Sequence, residues 1–160
     1  YTSNYAGTLL PGIREYTVTP GEKTTTISGK GKAGLKQEEN YYFFYLPVCY
    51  KGITGKSYAY YNTSRSKNLY LPASVDENYS YDIQLPENLT LCTPIQEKKI
   101  DNPIGSFKIT LTSEGSSLHI ELALQIKKQL ITPAEYPAFR SLITEWTDRT
   151  RKPILFKTVQ

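Results

Sequence analysis

The strongest constraint on how this chain folds is a pair of alternating segments late in the sequence. Phe107, Ile109 and Leu111 alternate with Lys108, Thr110 and Thr112. A strand points successive side chains to opposite faces, so it buries the first set and wets the second. After Ser113, Glu114, Gly115, Ser116 and Ser117 the alternation resumes. Leu118, Ile120, Leu122, Leu124 and Ile126 then point one way, and His119, Glu121, Ala123 and Gln125 the other. This predicts a hairpin with one apolar face, and that face requires a cover.

The cover is encoded just downstream. Thr132-Pro133-Ala134-Glu135 has the form of a capping box with proline at the first helical position. Tyr136, Phe139, Leu142, Ile143 and Trp146 follow at spacings of three and four, one apolar stripe on a helix. Pro137 would clash with a preceding helical turn. The helix is therefore expected to have a short 3₁₀ lead-in or to begin near Pro137. Pro153 stops it, and Ile154-Leu155-Phe156 is short and apolar enough to return to a sheet as a last strand.

Upstream, residues 13–19 and 23–28 are Thr-rich and flank Pro20-Gly21, a pair suited to a type II turn, so a first hairpin is expected. Residues 41–46 are apolar on both strand faces, which suggests a central strand covered from two sides and hence a second layer. The functional alternative for this run is an aromatic platform for sugar rings. Short strands are expected over residues 69–71, 79–85, 89–93 and 95–100, with a turn at Asp101-Asn102-Pro103. The fold class is mainly β (α+β): sandwich-like antiparallel sheets, one C-terminal amphipathic helix and a final short strand. Residues 1–160 read as a single domain, with a candidate sub-boundary near 36–40 that would assign earlier residues to an upstream domain.

Several function classes are disfavoured. The net charge of +4 comes from lysines scattered among fifteen acids, whereas nucleic-acid binding needs a concentrated basic face. The apolar run from Tyr41 to Pro47 is too short to span a bilayer. Gly29-Lys30-Gly31-Lys32-Ala33-Gly34 matches a dinucleotide fingerprint by letter, but no helix of useful length fits before the next strand to meet a pyrophosphate. It reads as a flexible basic loop. Cys49 and Cys92 lack a CxxC partner, so neither a zinc site nor another cofactor is expected, and sequence does not pair the two sulfurs. The absence of methionine suggests that the sequence starts inside a longer protein or after processing.

Catalytic candidates are few. His119 is the only histidine, and alternation places it opposite the apolar face, as an exposed or interfacial residue. Pairing it with Cys49 or Cys92 would be the enzymatic alternative, but no nucleophile motif supports that. The candidate binding residues are Tyr58, Tyr60, Tyr61 and Arg65, where tyrosines stand among polar neighbours. Exposed rings there would make a carbohydrate-binding module.

The run Tyr79-Ser80-Tyr81-Asp82-Ile83-Gln84-Leu85-Pro86-Glu87, then Gly105-Ser106-Phe107, then Tyr136-Pro137-Ala138-Phe139-Arg140 through Ile154-Leu155-Phe156-Lys157, resembles the C-terminal β-domain of bacterial transglutaminase-like proteins. The resemblance implies an exported protein, periplasmic or at the cell surface of a Gram-negative bacterium. It also implies a papain-like core upstream in the same chain as partner, and a protein or glycan substrate. The catalytic Cys, His and Asp of that family belong to the upstream core and match no position here. The expected role is a non-catalytic accessory domain.

Overall fold

The computed structural model describes residues 13–21, 25–32, 34–46, 53, 61, 63–94, 96–148 and 153–158. Its strands are β1 (Ile13–Pro20), β2 (Thr25–Gly31), β3 (Lys36–Glu38), β4 (Tyr41–Tyr45), β5 (Leu69–Tyr70), β6 (Val75–Gln84), β7 (Leu89–Leu91), β8 (Gln96–Asn102), β9 (Gly105–Glu114), β10 (Ser117–Ile126), β11 (Leu130–Ile131) and β12 (Pro153–Thr158), with one helix among the described residues, α1 (Tyr136–Thr147). Every described pairing is antiparallel. The expected mainly β fold with one C-terminal helix and a last strand is what the chain adopts.

The alternating hairpin is the middle of a four-stranded sheet ordered β6-β10-β9-β8. Its turn is Gly115-Ser116, tighter than the stretch from Ser113 to Ser117 suggested. Gly115 takes a φ of 57° and Ser116 does not take a positive φ, the pattern of a type II′ turn with glycine first. At the other end, Asn102-Pro103-Ile104-Gly105 turns the chain from β8 into β9. The Asn102 Oδ1 accepts the N–H of Ile104 at 2.9 Å and that of Gly105 at 3.3 Å. Its Nδ2 donates to the Ala138 carbonyl at 3.1 Å, tying this turn to the helix.

One face of this central sheet holds the core, and two different elements cover it. Towards one end, Phe107, Ile109, Leu122, Leu124 and Ile126 pack against the stripe of α1, where Phe139, Leu142 and Ile143 have no exposed surface. Burial of that stripe, at about 1.5–3 kcal/mol per large side chain, holds a helix too short to be stable alone. Towards the other end, Leu111, Leu118 and Ile120 pack against Leu89, Ile154 and Phe156 of a second sheet ordered β3-β4-β12-β7, and against Leu46, which follows β4. The apolar face is thus shared between helix and sheet, and only part of it forms a sandwich.

The helix starts as Pro137 requires. Residues 133–135 form a turn, and the N–H groups of Glu135 and Tyr136 donate to the Thr132 carbonyl. The capping box is half made: the Glu135 carboxylate accepts from the Thr132 N–H at 3.1 Å and hydroxyl at 3.0 Å. Thr132 gives its hydroxyl to the carboxylate instead of capping the helix.

Two expectations are corrected. Gly29-Lys30-Gly31 is not a loop: it lies in β2, with Gly29 opposite Tyr16 and Lys30 opposite Glu15. The glycines and lysines form the far part of a ribbon, and the short strand β3 follows where a nucleotide site would need a helix. The second correction concerns β4. It is an inner strand of its sheet, as expected, but only Tyr42 and Phe44 reach the core, while Tyr41 and Tyr45 remain 44% and 54% exposed.

Candidate functional site

On the polar face of the central sheet, cross-strand neighbours assemble a charged row. The pairing sets His119 between Asp82 on β6 and Thr112 on β9, and Glu121 between Ser80 and Thr110. His119 Nδ1 lies 2.7 Å from Asp82 Oδ1, and its Nε2 lies 3.6 Å from Glu121 Oε1. The other oxygen of Glu121 accepts from Lys108 Nζ at 2.8 Å and from the Thr110 hydroxyl at 3.4 Å. Gln84, Thr112 and Ser117 line an open depression of about 570 Å³ beside the imidazole.

Electrostatics follow from this geometry. The hydrogen bond to Asp82 raises the pKa of His119 above the ordinary imidazole value, and Glu121 adds to it. The hydrogen bond from Lys108 lowers the pKa of Glu121, and the same contact raises that of Lys108. Such a ring carries protons on both nitrogens over a wider pH range, and in that form it has no lone pair to accept one. The row holds opposite charges in register across three strands.

The cysteines lie elsewhere. Cys92 follows β7 on the second sheet, with a free, half-buried thiol and its N–H donating to the Leu155 carbonyl at 2.7 Å. Cys49 is outside the described residues. Among the described residues no group of three or more His, Cys, Asp or Glu side chains could hold a metal ion.

Of the four binding candidates, Tyr58 and Tyr60 lie outside the described residues. The structure brings the other two together at the start of α1. The Tyr61 ring meets Phe139 edge-on at 5.6 Å, and its carbonyl accepts the Tyr136 hydroxyl at 2.8 Å. The Arg65 guanidinium stands 5.8 Å from the centre of the Tyr136 ring. Burial raises the pKa of Tyr136 while Arg65 and Arg140 oppose the rise. Tyr61 is therefore half-buried packing, and Arg65 covers the tyrosine that anchors it.

A surface that sequence reasoning treated as core lies on the outside of the second sheet. Tyr41, Phe43 and Tyr45 share the outward face of β4, opposite Lys157, Leu155 and Pro153 of β12. Lys36 Nζ lies 5.6 Å from the centre of the Tyr45 ring. Alternation assigns these three rings to one face, but no residue in β4 indicates whether that face is covered.

This architecture, two antiparallel sheets and a helix sharing one apolar face, coincides with a recognised family. The chain belongs to a domain family of unknown function with a solved structure, DUF3858, whose family model matches residues 40–156. Among solved structures, a protein from Parabacteroides distasonis described as a "putative protease" is similar at 30% identity with a TM-score of 0.63 over 76% of this chain. The chain spans only 24% of that protein. Among curated proteins there is no significant match. No helix among the described residues is long and apolar enough to cross a membrane.

Proposed function

We propose that this chain is a non-catalytic accessory domain of an exported transglutaminase-like protein, steadying a papain-like core of the same polypeptide or helping to present its substrate. The observation that carries this reading is the position of His119. Its ring nitrogens face Asp82 and Glu121 on an open sheet face, while the described cysteine, Cys92, belongs to the other sheet. A thiol nucleophile needs an adjacent base. The size relation adds support, since a domain covering 24% of a protease-like relative leaves ample chain for a catalytic core elsewhere.

The test is an assay of the chain for peptidase and transamidase turnover. Neither activity is expected above background. Turnover that disappears on Cys49→Ala or Cys92→Ala would overturn the reading.

One observation favours a second reading, carbohydrate binding. Tyr41 and Tyr45 are exposed on one face of β4 with Phe43 between them, a row of rings able to stack on sugars. A glycan array would show binding that Tyr41→Ala and Tyr45→Ala both weaken. An array without hits removes it.

A further inference from the structure

Strands β1 and β2 pair with each other and with no other described strand. Among the side chains that the structure describes, neither core cluster contains a residue from them, and Tyr42 is the first in sequence to join one. Thr17, Thr19, Thr25, Thr26, Ser28 and Lys30 are all exposed. The family match begins at residue 40, beyond the ribbon. A lone two-stranded hairpin is marginally stable in water, and its outer edges carry unpaired N–H and C=O groups suited to pairing with another sheet. Over residues 13–32, Arg14, Lys23, Lys30 and Lys32 outnumber Glu15 and Glu22, so the complementary edge is acidic.

We propose that β1–β2 is a docking ribbon, which adds strand-to-strand to an acidic sheet edge of the neighbouring domain in the same polypeptide. The proposal rests on the accessory-domain reading and names the element that makes the contact. The described elements from β3 to β12 build the folded body, and the ribbon is held by its partner.

Hydrogen exchange on the 160-residue chain, alone and with the separately produced upstream region of its polypeptide, tests this. Alone, the amides of residues 15–19 and 25–30 are expected to exchange at nearly unprotected rates while those of residues 118–124 are protected, and Ile27→Pro leaves Tm unchanged. With the upstream region present, the ribbon amides slow at least about tenfold, and Ile27→Pro abolishes binding. Ribbon amides already protected in the dilute chain, with a lower Tm for Ile27→Pro, would make the ribbon part of this fold and overturn the proposal. Protection that appears only as the chain's own concentration rises would assign the ribbon to a second copy and also overturn it. Binding that leaves the ribbon unprotected would refute the ribbon alone and keep the accessory reading. No binding at all would remove both.

Discussion

A Cβ placed on Gly105 would sit 1.8 Å from the carbonyl oxygen of Gln125, the residue beside its cross-strand partner Ile126. The obstacle is backbone, not a flexible side chain, so β9 and β10 would have to separate where α1 packs on them. Gly105→Ala is expected to destabilise the fold by roughly 3 kcal/mol, the upper part of the range for forced overpacking. The corresponding fall in Tm, roughly 6–12 °C for a domain of this size, is measurable by calorimetry.

Phe139 is fully buried where helix and hairpin meet, with Tyr61 and Tyr136 against its ring. Phe139→Ala should cost about 3–5 kcal/mol in chemical denaturation. Tyr45→Ser, on the outside of the second sheet, should stay within about 0.5 kcal/mol of the parent. Equal losses for the two would contradict the assignment of inside and outside.

Glu135 has its pKa lowered to about 2 by the hydrogen bond from Lys128, with the Thr132 N–H and hydroxyl assisting. A depressed carboxylate stabilises the fold above its unfolded value of about 4.5, and that contribution fades as pH falls towards 2. Tm profiles between these limits should therefore be steeper for the parent than for Glu135→Gln. Superimposable profiles would show that the lead-in to the helix does not depend on this charge.

His119 has a raised pKa, so its pairing with Asp82 favours the fold below the unfolded imidazole value near 6.5. The benefit is lost as pH climbs through the higher folded value. Because the pair is exposed, the effect is read better by NMR titration than by unfolding. Asp82→Asn should bring the measured pKa down, with a further fall in the double variant carrying Glu121→Gln.

The central sheet and α1 were legible because each residue's neighbours in sequence report its face. Phe107 to Leu111 and Leu118 to Ile126 alternate strictly on either side of the turn, and Tyr136 to Trp146 repeat at helical spacing, so local pattern and tertiary burial agree. Tyr79, Tyr81 and Ile83 on β6 were readable for the same reason. The second sheet was less so, since β12 at the end of the chain pairs with β4 and β7, which lie far upstream, a relation no window of sequence contains. Residues 41–46 showed apolar side chains on both faces, and nothing local distinguishes a covered ring from an exposed one. For the candidate site, His119 was placed on its polar face by alternation alone. Its partner Asp82 arrives from β6, and only the register between strands brings it near. Arg65 and Tyr61 drew attention for polar surroundings, whereas their contacts are with Tyr136 and Phe139 of the helix.

The insertion of β12 between β4 and β7 has a consequence for synthesis. While the polypeptide is emerging from the ribosome, Tyr42 and Phe44 have no strand to join on one side until residues 153–158 have cleared the exit tunnel. The layer therefore closes after translation of this region is complete. A nonsense mutation a few codons earlier would leave those rings wet and the nascent product exposed to proteases, even though the hairpin and its helix were already made.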